Sequence, residues 1–149
     1  MSKITCSRHH DISCGHRVVG HEGKCRHLHG HNYRIHFECE AEQLDEVGRV
    51  IDFSVIKDKL CMWLENNWDH KFLAWKEDGL CIALSDIEKS DISENAIRSF
   101  VFVPFNPTAE NMALYLLEKI APQQLVGTGV RVVSVTIEET AKCSAKVTI

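Results

Sequence analysis

The chain has no apolar run approaching the roughly 20 residues needed to span a bilayer, which argues against a membrane helix. It has no Lys/Arg run or basic arm. With 17 basic against 21 acidic residues the formal net charge is -4, and bulk nucleic-acid binding is not expected. Met1 to Thr5 shows no signal-peptide apolar segment. There is no repeat, no low-complexity tract and no obvious linker. An even cysteine count is also missing: the seven cysteines are scattered from Cys6 to Cys143, which fits reduced thiols in a cytoplasmic protein better than a disulfide framework. What remains is an ordinary globular balance of 44% hydrophobic and 26% charged residues over 149 positions, enough for one domain, 1–149.

Histidine is distributed unusually. Seven of the nine histidines fall between His9 and His31. The sharpest stretch is Cys25-Arg26-His27-Leu28-His29-Gly30-His31. On a strand, His29 and His31 point to one face, with Cα atoms about 6 to 7 Å apart. Two imidazoles so placed can converge on one ion at about 2 Å Zn–N distance. Gly30 removes a side chain between them and admits another backbone or a ligand. A catalytic zinc usually has three protein ligands and one open position. His27 is a poor third ligand, because about 13 Å of extended strand separates it from His31. Cys25 is chemically suitable but farther out, and composition leaves it open against His16. Reach favours His16, which a hairpin can bring level with the pair.

The rest of the chain reads as strands and two amphipathic helices. Ile4 to Val18 has β-like composition, and Gly20 to Gly23 reads as a loop. Asn32 to Ala41 alternates cleanly, with Tyr33, Ile35, Phe37, Cys39 and Ala41 on one face. A helix should follow Val50-Ile51-Asp52-Phe53, capped by Asp52 or Ser54. Its stripe is Ile56, Leu60, Trp63 and Leu64, and it should stop near Asn66-Asn67. Lys76 to Arg98 is polar and poorly periodic, and reads as an irregular excursion. Phe100 to Phe105 is a short strand. Thr108 starts a second helix with the stripe Ala109, Ala113, Leu116, Leu117 and Ile120, ended by Pro122. Val130 to Ile137 is a strand with Val133, Val135 and Ile137 on one face, and Glu139 follows on that face. Ala145 to Ile149 is a final strand. The fold class is α+β, with helices on one sheet face.

Other groups carry chemistry in this pattern. Cys25 is a candidate nucleophile or base if a metal or imidazole lowers its pKa; the other cysteines read as structural. Asp69-His70 offers a carboxylate that orients an imidazole. Glu139 at a strand end could accept two parallel N–H groups from a guanidine-like ring edge. Glu138 should face the other way, to solvent. Arg17, Lys24, Arg26 and Arg34 could serve a small anion.

These residues resemble the 6-carboxytetrahydropterin synthase and 6-pyruvoyltetrahydropterin synthase family. Cys25-x-x-x-His29-Gly30-His31 is similar to the signature of its queuosine-pathway branch, the sibling branch having a longer gap after the cysteine. Ser13-Cys14-Gly15-His16-Arg17 resembles the segment carrying the first zinc ligand. Val50-Ile51-Asp52-Phe53, Asp69-His70-Lys71-Phe72-Leu73, Pro107-Thr108-Ala109-Glu110-Asn111 and Glu138-Glu139-Thr140 resemble further family elements, in family order. An aromatic residue common before the first zinc ligand is replaced here by His10 or Ile12, and Ala74 to Ser99 is longer than in compact members.

The resemblance implies a tunnelling fold (T-fold), an antiparallel four-stranded sheet with two helices on one face. It implies trimeric barrels stacked into hexamers, with sites at subunit interfaces. His16, His29 and His31 would hold Zn2+. Cys25, with Asp69 and His70, would transfer protons. Glu139 would anchor the pterin, with Thr108 and Glu110 lining or supporting the pocket. The implied activity is a zinc-dependent lyase converting 7,8-dihydroneopterin triphosphate to 6-carboxy-5,6,7,8-tetrahydropterin with release of acetaldehyde and triphosphate. Zinc would bind the substrate's vicinal hydroxyls and lower their pKa. The sibling reaction yields 6-pyruvoyltetrahydropterin. A reading of another class is a zinc-holding assembly domain without catalysis.

Overall fold

The computed structural model describes residues 2–91 and 98–149. Its frame is a hairpin of β1 (Cys6–His16) and β2 (His29–Ala41), paired antiparallel from Cys6↔Cys39 to His16↔His29. Strand side chains alternate between faces, so this register decides which residues enter the core. Tyr33, Ile35, Phe37 and Cys39 are buried on one face of β2, with Ile12, Cys14 and His16 of β1 beside them. His29 and His31 fall in the same alternation, at the end of that face. Gly30 sits where backbones crowd: a Cβ there would lie 3.0 Å from the Cys14 carbonyl oxygen.

The sheet adds β3 (Phe72–Trp75), β4 (Phe100–Val103), β5 (Val130–Glu138) and β6 (Ser144–Thr148), in the order β4-β3-β1-β2-β5-β6. The expected four antiparallel strands are present as β1-β2-β5-β6. Two short strands widen the sheet, β3 running parallel to β1 and β4 parallel to β3, so the whole sheet is mixed. β3 escapes sequence reading because a four-residue apolar run carries too little periodicity. β5 also departs from expectation. Its register against β2 shifts between Glu38 and Cys39, with Glu38 opposite Ser134 and Cys39 opposite Val132. The extra residue changes the face, so Val132, Val135 and Ile137 are buried while Val133 is only half-buried.

Two long helices cover the core face. The first, 53–67, is capped by Asp52, whose Oδ1 accepts the Ser54 N–H at 2.8 Å. Ile56, Leu60 and Leu64 pack into the common core, each contributing about 1.5–3 kcal/mol. The last, 109–124, is capped by the Thr108 hydroxyl, which accepts the Asn111 N–H at 3.1 Å. Its buried stripe runs from Ala109 through Met112, Ala113, Leu116 and Leu117 to Ile120. Pro122 does not end this helix. A wider turn over Leu116–Ile120, in which the Ala121 N–H bonds the Leu116 carbonyl, precedes the proline, and the helix resumes over Ala121–Gln124. An i→i+5 turn loosens the ladder where a proline ring would otherwise crowd the carbonyl four residues back.

The stretch after β3 is not irregular: Gly79–Asp91 is a helix. Its inward positions are Cys81 and Ser85, with Asp78 just before its start, and all three are buried. These are small or polar, so the segment carries no hydrophobic stripe by which a helix is recognised. The rest of the expected excursion, 92–97, lies outside the described residues. No described helix is long and apolar enough to cross a membrane.

Candidate metal and active site

Three imidazoles meet at the mouth of the β1–β2 hairpin. His16 ends β1, and His29 and His31 begin β2, with His16 directly opposite His29. One nitrogen from each lies within 4.8 Å of the other two. His16 Nε2 is 3.0 Å from His29 Nε2. The other ring nitrogens are occupied by carbonyls: His16 Nδ1–H donates to Pro107 O at 2.6 Å, and His29 Nδ1–H donates to His27 O at 2.7 Å. Each bond selects the tautomer whose Nε2 lone pair faces the cluster. His31 Nε2 is buried with no hydrogen-bond partner. An orphaned buried nitrogen costs about 1–3 kcal/mol, and a divalent cation removes that cost.

Two of the rings are held toward the neutral form that a metal ligand requires. Burial is the main cause for His16, with its histidine neighbours adding to it against the Pro107 bond, and its pKa falls to about 4. Burial also lowers the His31 pKa, against the opposing pull of Glu139. Three imidazole nitrogens directed at one point fit a divalent cation.

Glu139, just beyond β5, brings Oε1 to 3.5 Å from His16 Nε2 and 3.6 Å from His31 Nε2. It is on the core face, as the alternation implied, and its side chain stays 25% exposed, so a ligand can reach it. Glu138 faces the other way and bonds His36 rather than solvent alone.

Cys25 sits half-buried in the turn Lys24–Arg26, outside the three-nitrogen cluster. Its carbonyl accepts the Val18 N–H at 2.8 Å, which ties the turn to the end of β1. Four of the other cysteines, Cys14, Cys39, Cys61 and Cys81, are buried, and all seven are free thiols. Burial pushes Cys14 and Cys39 up to about 12, so neither is a thiolate near neutrality.

Asp69 and His70 follow the first helix and lean on β1. Asp69 Oδ1 accepts the Ser13 N–H at 2.9 Å, and Oδ2 accepts His70 Nδ1–H at 2.7 Å. Partial burial would raise the Asp69 pKa, but these two donors outweigh it and keep it below the usual range. His70 has a left-handed backbone, φ +58°, held by its own N–H to Ser13 O at 2.7 Å. That turn throws the imidazole outward, 81% exposed. Among the described residues no hydrogen bond joins this pair to Cys25. A shallow cleft of about 400 Å³, lined by His31, Asn32, His70 and Lys71 among others, runs along the sheet.

Thr108 spends its hydroxyl on the helix cap, and Glu110 is exposed in the first turn. What reaches the cluster from this segment is the Pro107 carbonyl. Sequence reading also missed Tyr33, whose hydroxyl lies 3.2 Å from His16 Nδ1. Its position, two residues beyond His31 on the same face, was the available signal. Asn106 was missed as well. Its side chain accepts the Val19 N–H at 3.0 Å and donates to Val19 O at 2.9 Å, pinning the segment after His16. Two of the four basic groups considered for an anion are already paired: Arg17 forks onto Asp78 and Arg34 onto Asp11. Lys24 and Arg26 remain exposed beside Cys25.

Comparison with known proteins agrees with this architecture. A family model described as 6-pyruvoyl tetrahydropterin synthase matches residues 5–149. A 6-carboxy-5,6,7,8-tetrahydropterin synthase of Rickettsia felis is 34% identical over 145 residues, covering 97% of this chain and 99% of that protein. An uncharacterized protein from Wolinella succinogenes superposes with TM-score 0.84 at 26% identity, covering 99% of each chain. The Caenorhabditis elegans 6-pyruvoyl tetrahydropterin synthase shares the fold, with TM-score 0.67 at 23% identity over 100% of this chain and 97% of that one. A match over nearly the whole chain, with the histidine cluster at the end of its hairpin, places this protein among the enzymes of the 6-pyruvoyl tetrahydropterin synthase family.

Proposed function

We propose that the protein is a zinc-dependent lyase that converts 7,8-dihydroneopterin triphosphate, with uptake of one water, to 6-carboxy-5,6,7,8-tetrahydropterin, releasing acetaldehyde and triphosphate, in 7-deazaguanine (queuosine) biosynthesis. The observation that carries the reading is the convergence of three histidine nitrogens, one of them buried without a partner, next to Glu139. The short Cys25-x-x-x-His29 spacing and the names of the relatives support 6-carboxytetrahydropterin over 6-pyruvoyltetrahydropterin as product.

His16, His29 and His31 hold the cation. Nitrogen ligands with no soft thiolate in the set suit zinc, which when bound supplies Lewis acidity toward the side-chain hydroxyls of the substrate. Glu139 accepts the paired N–H groups of the pterin edge and sets its orientation. Cys25 takes and returns a proton at the substrate side chain. His70, oriented by Asp69, exchanges protons with that thiol. The outward throw of His70 suits service to Cys25 of a neighbouring copy, so we propose a homo-oligomer, a hexamer built as a dimer of trimers. Thr108 supports the pocket by capping the helix that follows Pro107, and Glu110 lines its edge. The seven free thiols fit a cytoplasmic location.

The test is turnover of dihydroneopterin triphosphate by zinc-loaded protein, with products read by mass. Formation of 6-carboxytetrahydropterin and acetaldehyde is expected. A 6-pyruvoyl product would select the sibling reaction, and no turnover would leave an assembly domain. Cys25→Ala should keep zinc and lose about 10²–10⁴-fold in rate. Loss of zinc in that variant would contradict the base role.

A further inference from the structure

Arg17 follows the ligand His16, and its guanidinium joins three parts of the molecule. Nε donates to Asp78 Oδ2 at 2.6 Å and one terminal nitrogen to Asp78 Oδ1 at 2.9 Å, a bidentate fork. The other terminal nitrogen donates to the Arg26 carbonyl at 3.1 Å. Arg26 is the residue after Cys25, and the Cys25 carbonyl is itself held by the Val18 N–H. The backbone just after the thiol, at the Cys25 and Arg26 carbonyls, is therefore tied to Val18 and Arg17, the residues that leave β1.

Asp78 is built to hold this fork still. Its side chain is 1% exposed. It precedes the helix Gly79–Asp91, and Oδ1 also accepts the Leu80 N–H at 3.1 Å, while Oδ2 accepts the Cys81 thiol at 3.2 Å. A carboxylate at a helix start is favoured by the aligned peptide dipoles. Buried charge is retained at a cost unless paired and fully bonded, and Asp78 meets both conditions. This helix buries little else inward than Cys81 and Ser85, so the fork is its main polar tie to the hairpin.

We propose that Asp78 is a positioning residue: through Arg17 it fixes the turn that carries Cys25. The middle helix thereby has a task, as the anchor for the fork. The inference rests on Cys25 acting in the proposed lyase, but the fixing of the turn can be read without turnover.

The decisive variant is Asp78→Asn. Asparagine caps a helix as well as aspartate does, so the helix keeps its start while the ion pair is lost. In zinc-loaded protein, iodoacetamide labelling of Cys25, read peptide by peptide by mass, should speed up about fivefold or more as the turn opens locally. Exposed Cys143 provides the internal reference, with unchanged labelling. Zinc content and helical circular dichroism should hold, and kcat should fall about 10- to 100-fold, with KM moving less. Asp78→Glu, which keeps the charge, should recover part of both readouts. Unchanged Cys25 labelling overturns the proposal, whether or not turnover falls, because Asp78 would then not act through the turn. Faster labelling with full turnover also overturns it, because the turn's position would not matter to the reaction. Should Asp78→Asn fail to fold, Arg17→Lys keeps the charge and leaves the Asp78 cap intact while removing the fork. Labelling of Cys25 in that variant at the native rate would equally overturn the proposal. An inactive native enzyme would sink the lyase reading alone, since the labelling contrast still decides the clamp.

Discussion

The β1–β2 hairpin and the helix Gly79–Asp91 are opposite kinds of structure. The hairpin buries an apolar face at period two and ends it in three metal-ready nitrogens. The helix turns polar and small residues inward and leaves Leu80, Ile82 and Ile87 exposed. One element is stabilised by the area it removes from water, the other by its cap and an ion pair. Chemistry is concentrated on the first, where packing makes side-chain placement stiff. The second can lend support only through specific polar bonds.

The largest expected effect breaks the hairpin's metal centre. His31→Ala should abolish stoichiometric zinc binding, measured by metal analysis after gel filtration, and with it all turnover above the metal-free level. Retention of one zinc per chain would show that the ligand set is not the three histidines.

A second test uses acid on chelator-stripped protein. Folding holds His16 neutral, with a pKa of about 4 against 6.5 for the free side chain. The unfolded chain therefore binds the proton more readily. Stability from this group is complete above about pH 6.5 and is lost as the pH falls through about 4, about 3 kcal/mol in all. Urea unfolding followed across that window should show the decline. A flat profile would mean that His16 is not buried neutral.

The smallest effect belongs to the middle helix. Ile87 is 63% exposed, and Ile87→Ser should change stability by no more than about 0.5 kcal/mol in urea unfolding. Leu64→Ala in the core should cost about 2–5 kcal/mol. An Ile87 effect of core size would mean that this outer face is covered.

Legibility followed the same divide. The alternation from Asn32 to Ala41 and the stripes of the two long helices could be read directly, because burial repeats at a fixed local period. The bulge that swaps Val133 for Val132 could not, since one inserted residue shifts a face without altering composition. Nor could the continuation of the last helix past Pro122, which depends on a wider turn just before it. At the site, His29 and His31 were visible as a pair on one face, whereas Tyr33 looked like core and Arg17 like a free cation.

By itself the amino-acid order determined the hairpin, the side to which His29, His31 and Glu139 turn, and the starts of both long helices, at Asp52 or Ser54 and at Thr108. Tertiary structure decided that the Pro107 carbonyl, 91 positions from His16, orients its ring. It also decided that Cys25 stands outside the nitrogen cluster and that Arg17 is spent on Asp78, 61 positions away. Periodicity and capping act within a few residues and leave their mark on the order of side chains. A hydrogen bond between distant segments exists only once packing has fixed both ends, and no local pattern encodes its partner.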